Sequence, residues 1–125
     1  MTDPLFLLDS NICIYLLRGA SPTARAYVQA YEPGELVTSA VAFAEVIIGA
    51  RSREAVAQAE AFFAVVTVLP FDEAAARTYA TMPFRRARYD RLIAAHALSL
   101  GLTLVTNNER DFADIPDLRI ENWTV

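Results

Sequence analysis

The sequence predicts an α/β domain built around a mainly parallel sheet, and three observations carry that prediction. Short apolar or β-branched runs recur along the chain at Leu5–Leu8, Val37–Thr38, Val65–Leu69 and Leu102–Thr106. Segments with helical caps and stops separate them, the pattern of βαβ units whose sheet is covered on both faces. At 125 residues the chain reads as one domain, 1–125, long enough for a proper core and too short for two.

The elements follow in order. Leu5–Leu8 is an apolar run bounded by polar residues, as a fully buried strand requires, and it stops on Asp9. Asn11–Arg18 reads as a short helix, with Ser10 or Asn11 as N-cap and Gly19 as its stop. A second helical piece spans residues 23–31 and closes at Pro33-Gly34. Glu35–Ser39 is a strand, and Ser39 caps a helix running to about Ala50. Glu54–Ala64 is an alanine-rich helix, and Val65–Leu69 a strand. Asp72 opens a helix to Thr81 that Pro83 ends; here a cap is all the acid needs to be. Arg88–Leu100 is a long helix stopped by Gly101. Leu102–Thr106 is a strand, Asn108–Phe112 a helical turn, and Leu118–Glu121 a last short strand.

Composition narrows the function. Hydrophobic residues make up 54% of the chain, too many for a disordered or fibrous protein. Glu45 interrupts the longest apolar stretch, so nothing reaches the roughly 18 residues that span a bilayer. No basic segment precedes the first apolar run, so no secretory leader is expected. The single cysteine, Cys13, cannot form an intramolecular disulfide, which fits a reducing cytoplasm. The net charge of −4 argues against broad electrostatic capture of nucleic acid, and every basic side chain is arginine. One local basic patch exists, Phe84-Arg85-Arg86-Ala87-Arg88-Tyr89-Asp90-Arg91.

Most of the 15 carboxylates read as solvated surface charges. Four do not. Asp9 ends an apolar run, at the strand end where ligands bind in open α/β sheets. Glu45 stands between Val41–Ala44 and Val46–Ile48 with no polar face around it. A helix apolar all round is normally buried, and a glutamate there needs a metal, a partner or a raised pKa. Asp90 begins the helix before Leu100, where a simple N-cap would also explain it, and Asp111 follows the strand Leu102–Thr106, where a solvated turn would. Asp9 and Asp111 follow strand ends while Glu45 and Asp90 follow loops, so a doubly wound sheet can gather all four at one end. Such a group stays ionised only with a cation, and oxygen ligands without a histidine cluster favour Mg²⁺ or Mn²⁺. An ion of that kind lowers the pKa of a bound water and neutralises charge developing on a phosphate.

Four pieces of sequence carry a resemblance. They are Leu7–Leu16, with Asp9 and Asn11; Ser39–Gly49, with Glu45; Asp90–Leu98; and Leu102–Phe112, with Thr106, Asn108 and Asp111. The closing Leu118–Trp123 matches as well. In this order they resemble PIN-domain proteins, specifically the VapC-type ribonuclease toxins of bacterial type II toxin–antitoxin systems. The resemblance implies a three-layer α/β/α fold with a central, mainly parallel sheet. It implies endonucleolytic cleavage of RNA, tRNA or rRNA, by a water activated on Mg²⁺ or Mn²⁺. Asp9, Glu45, Asp90 and Asp111 take the positions of the acidic metal-binding quartet, with Glu109 the alternative to Asp111. Asn11, Thr106 and Asn108 match supporting polar positions, and Arg85, Arg86 and Arg88 are candidate RNA contacts. A homodimer and a VapB-type antitoxin covering the active site are also implied. The arginine-rich run before Asp90, and Arg91 in a place commonly apolar, depart from the family's pattern.

Rival readings fare less well. His96 and Cys13 lie in alanine-rich and apolar helices, as packing residues do, and no third group orients them into a triad. A phosphoacceptor domain typically uses a lysine, and this chain has none. A dehalogenase-type phosphatase needs a second aspartate where Asn11 stands. A non-catalytic PIN-like module binding RNA or protein is the alternative; it would keep the fold and lose acids.

Overall fold

The computed structural model describes residues 2–84 and 88–125; Arg85 and Arg86, two of the candidate RNA contacts, lie outside the described residues. Five strands alternate with helices: β1 (Phe6–Leu8), α1 (Ser10–Arg18), α2 (Pro22–Gln29), β2 (Leu36–Ser39), α3 (Ala40–Ile48), α4 (Arg53–Val65) and β3 (Thr67–Leu69). Then come α5 (Glu73–Thr81), α6 (Tyr89–Ser99), β4 (Thr103–Val105) and β5 (Ile120–Glu121), with 3₁₀ turns at Pro33–Glu35 and Glu109–Phe112. The last 3₁₀ turn connects β4 to β5 and carries Asp111.

The strands form one sheet in the order β3-β2-β1-β4-β5, and every pairing is parallel. Leu7 sits opposite Val37 on one side and Leu104 on the other. Because side chains alternate across a strand, this row feeds one face of the sheet. There it packs with Ile93, Ala94 and Ala97 of α6 and with Met82 after α5. Phe6, Leu8, Leu36 and Val105 feed the opposite face, against Ile12 and Cys13 of α1, Ala24 of α2 and Ala59 of α4. Helix α3 contributes to both cores, through Ala42 on one side and Val46 on the other. The expected three-layer α/β/α sandwich is therefore present. Among the described residues no helix is long and apolar enough to cross a membrane.

The strand order fixes where a site can form. From β1 the chain moves outward through β2 to β3, then returns to place β4 on the other side of β1. The order reverses between β1 and β4. In open α/β sheets the crevice beyond the carboxyl ends of those two strands is where ligands bind. Asp9 and Thr106 are the residues that follow those ends.

Local chemistry explains most element bounds. Asp9 itself, rather than Ser10 or Asn11, caps α1, its carboxylate accepting from Ile12 N at 2.9 Å. Gly19 ends the helix in the left-handed region at φ 62°, which costs glycine little. Helix α4 runs one residue further than the β-branched residues imply, absorbing Val65, so β3 starts only at Thr67. Local strand propensity yields there to the buried packing of Val66 behind the helix end. Helix α3 also departs from expectation: it is not buried all round, for Ile48 is 79% exposed.

The chain's tail closes the second core. Trp123 is fully buried, meets Phe6 edge-on at 5.0 Å and stacks on Tyr27 at 5.2 Å and Tyr31 at 5.7 Å. Burying that ring fastens the segment after β5 to β1 and α2. Trp123→Ala should therefore lower unfolding free energy by about 3–5 kcal/mol, read as a shifted urea midpoint by circular dichroism; a change under about 1 kcal/mol would show that the ring only rests on the surface.

Candidate active site at the β1–β4 switch point

Asp9 is the deepest of the four acids. Its backbone N–H donates to Val105 O at 3.0 Å, sealing the seam between β1 and β4. Its side chain, in a residue 5% exposed, accepts from Ile12 N and from the Thr106 hydroxyl. Burial pushes its pKa from 3.8 up to about 6, the two hydrogen bonds hold it down, and the nearby Asp90 and Glu45 raise it further. Those same influences place Asp9, Glu45 and Asp90 in one electrostatic group.

Glu45 reaches the group from α3. Its carboxyl accepts from the Ser10 side chain, and its pKa is raised by burial first and by Asp90 after that. Its Oε1 is buried and has no hydrogen-bond partner among the described residues. A buried carboxylate oxygen with nothing to bind costs free energy, so the atom calls for a cation or an ordered water.

Asp90 and Asp111 meet through an arginine. Arg88 forks onto Asp90, Nε to Oδ1 at 3.1 Å and Nη2 to Oδ2 at 2.6 Å, and its Nη2 also lies 2.6 Å from Asp111 Oδ2. Arg88, expected as an RNA contact, thus faces the acids. The Asn108 amide donates to the same Asp111 oxygen, and Asn108 N donates to Thr106 Oγ1 at 3.1 Å. Thr106 and Asn108 therefore join the Asp9 and Asp111 ends of the site. Asn11 is exposed in the first turn of α1, and among the described residues its side chain makes no hydrogen bond to the acids. Glu109 accepts from Asn122 Nδ2 at 3.1 Å, away from Arg88. Of the two acids in that turn, Asp111 is the one that shares a partner with Asp90.

Every donor in the group is a carboxylate oxygen, hydroxyl or amide, and the orphaned Glu45 oxygen lies among them; this set fits a hard divalent ion. Among the described residues no three carboxylates stand together as a ready-made ion site. Asp90 and Asp111 instead share the Arg88 guanidinium.

Two neighbours went unread in the sequence. Ser10 was expected as a helix cap and instead serves Glu45. Arg91, expected only as an oddity at an apolar position, is 1% exposed and bound to backbone around Asp111. No sequence signal separates such a buried arginine from a solvated one at a helix start. His96 and Cys13 stay apart from the acids. His96 Nδ1 lies 2.8 Å from Ser39 Oγ, the same hydroxyl that accepts from Val41 N, so its partner is a helix cap and not an acid of the site. Burial lowers the His96 pKa and pushes the Cys13 thiol up to about 12, so neither offers a ready proton carrier or nucleophile.

Comparison with known proteins agrees with this fold. The sequence profile of the PIN domain matches residues 6–118. A relative from Shigella flexneri, "tRNA(fMet)-specific endonuclease VapC", is 34% identical across 95% of this chain and 98% of its own. The DNA-bound VapBC structure from Salmonella typhimurium superposes with a TM-score of 0.82 at 32% identity, covering 96% of this chain and 98% of that one. VapBC-1 from nontypeable Haemophilus influenzae does so at 0.83 and 30% identity, covering 97% and 99%. A five-stranded parallel sheet, acids gathered at its switch point and near-complete coverage of these relatives lead to one conclusion: the chain belongs to the PIN-domain family, among its VapC-type members.

Proposed function

We propose that this chain is an endoribonuclease toxin of the VapC kind, cutting RNA phosphodiester bonds with a water activated on a divalent ion. The observation that carries the metal-dependent part is the buried, partnerless Glu45 Oε1 beside Asp9 and Asp90. Asp9, Glu45, Asp90 and Asp111 would hold Mg²⁺ or Mn²⁺, which when bound supplies Lewis-acid stabilisation of charge on the phosphate and acidifies a water. The protein's own groups set the stage for that chemistry. Asp9, raised to about 6, changes protonation near neutrality, and Thr106 fixes the direction of its carboxylate. Ser10 faces the Glu45 carboxyl, whose Oε1 is buried without a hydrogen-bond partner among the described residues. Arg88 supplies the counter-charge for Asp90 and Asp111 and is placed to meet a phosphate once those acids take another cation.

The substrate class follows the relatives: the name of the Shigella flexneri protein specifies tRNA(fMet), which makes tRNA the first pool to test. Association follows the surface. Val41, Ala44 and Ile48 of α3 with Tyr89 and Leu92 form an apolar groove beside Glu45, with Ile48 79% and Tyr89 64% exposed. Such a patch supports a homodimer through this face and a VapB-type antitoxin as the cover of the neighbouring acids.

Three outcomes test the reading. Purified protein with Mn²⁺ or Mg²⁺ should yield discrete fragments from a tRNA and rRNA pool, abolished by EDTA and reduced at least about 100-fold in Asp90→Asn; intact RNA from folded, antitoxin-free protein would favour a binding module. The pH dependence of metal-free stability is the second. Between about pH 4 and pH 6 the folded chain keeps the Asp9 proton that the unfolded chain releases, so stability should fall by roughly 3 kcal/mol as pH rises through that window. Asp9→Asn should flatten that slope and raise the metal-free melting temperature above pH 6, while cleavage is lost. A slope unchanged in the variant would mean that Asp9 is not the group responsible. Third, Ile48→Asp should convert a dimer to a monomer in light scattering; a monomeric wild type would remove this face as the dimer contact.

A further inference from the structure

Arg91 is a side chain that the proposed chemistry does not use and that the fold treats unusually. It lies on α6 directly after Asp90, yet only 1% of it is exposed. Its Nη1 donates to the backbone oxygen of Asp111 at 3.0 Å and to Asp114 Oδ1 at 2.9 Å. Its Nη2 donates to the backbone oxygen of Pro83 at 2.8 Å and to Asp114 Oδ2 at 3.1 Å. One guanidinium thus ties together the end of the α5 segment, the start of α6 and the turn that carries Asp111.

A buried charge on this scale is expensive, and apolar packing of similar volume would hold a helix start at least as well. Stability alone gives no reason for a planar fork here. The fork does have a geometric consequence: Asp90 belongs to the residue before Arg91, and Asp111 owns one of the oxygens that Arg91 grips. Their backbones are set relative to one another by a single rigid group. Only arginine presents two donors in one plane; lysine would keep the charge and lose one arm. The turn's other anchors are buried Phe112, packed in the core that α6 lines, the bond from Asp111 N to Asn108 O at 3.2 Å, and Arg88, which joins the carboxylates of Asp111 and Asp90. Among the described residues Arg91 is the α6 side chain that grips the backbone of the turn.

We infer that Arg91 is a positioning residue that sets the Asp111 turn against the Asp90 end of α6, so that both carboxylates can serve one divalent ion. This rests on the metal-nuclease reading above, and the experiment separates the two. Wild type, Arg91→Lys, Arg91→Met and Asp90→Asn are titrated with Mn²⁺ alone by calorimetry, with folding checked by circular dichroism, and their cleavage kinetics are compared. Arg91→Met should fold, bind Mn²⁺ about 10- to 100-fold more weakly and lose kcat with KM little changed, as losses of outer supports of metal ligands do. Arg91→Lys should recover part of the affinity. If wild type and Asp90→Asn bind Mn²⁺ alike, the metal reading fails and takes this proposal with it. If wild type binds and the folded Arg91 variants match it in affinity and kcat, the proposal alone is overturned. Should Arg91→Met not fold, Arg91→Lys decides: full wild-type affinity and kcat overturn the positioning role, and a loss in both supports it.

Discussion

The structure turns on one carboxylate held where the sheet reverses direction. Asp9 closes the β1–β4 seam with its amide, starts α1 with its side chain and takes a hydroxyl bond from Thr106, all within a residue 5% exposed. Everything around it is dictated by β1, whose three residues are buried on both faces. An acid placed there cannot reach bulk water, so burial raises its pKa and the folded chain carries a group that is dear to ionise. Asparagine could make the same cap at Ile12 without that expense. The choice of aspartate is what makes the site electrostatically tense, and Glu45 and Asp90 add to the tension instead of relieving it.

The chain answers with arginine, three residues apart on one segment and in two different ways. Arg88 lies at the surface of the site and pairs with the carboxylates of Asp90 and Asp111 themselves. Arg91 is buried and pairs with Asp114 and with backbone carbonyls. The first supplies charge that another cation can replace; the second supplies geometry. Both tasks use several donors of one guanidinium at once, which a lysine ammonium cannot match in a plane. In a chain without lysine, both tasks fall to arginine.

What the sequence made legible follows from which forces act locally. Parallel strands are buried on both faces and read as apolar runs, so β1 and β4 could be placed in advance; the switch point between them follows from the strand order, which no local pattern carries. Glu45 stood out because a lone acid in an apolar segment has no local explanation. The same segment misled on burial: Ile48 is open to solvent, and composition cannot tell a core helix from one that keeps an apolar face for a partner. The boundary at Val65 failed because packing outweighed strand propensity. The cap at Asp9 was assigned one or two residues too late, since the residue that follows the strand is already the helix cap. Arg91 was beyond reach: its partners lie at Pro83, Asp111 and Asp114, and no local pattern announces contacts so far along the chain.

Each acid, taken singly, has an ordinary structural use. Asp9 caps a helix, Asp90 sits in the favourable first turn of α6, and Asp111 pairs with an arginine and an asparagine. A purely structural account stops at Glu45. It caps nothing, its helix would pack as well with an apolar residue there, and one of its oxygens is buried without a partner. Its nearest electrostatic company is another acid, which makes its ionised form harder still to keep. A fold selected for stability alone has no reason to hold that group beside Asp9 and Asp90. A fold that must present oxygen ligands to a cation at the switch point of its sheet does. The weakest point of the structure, judged as structure, is therefore the best evidence for what the four acids do together.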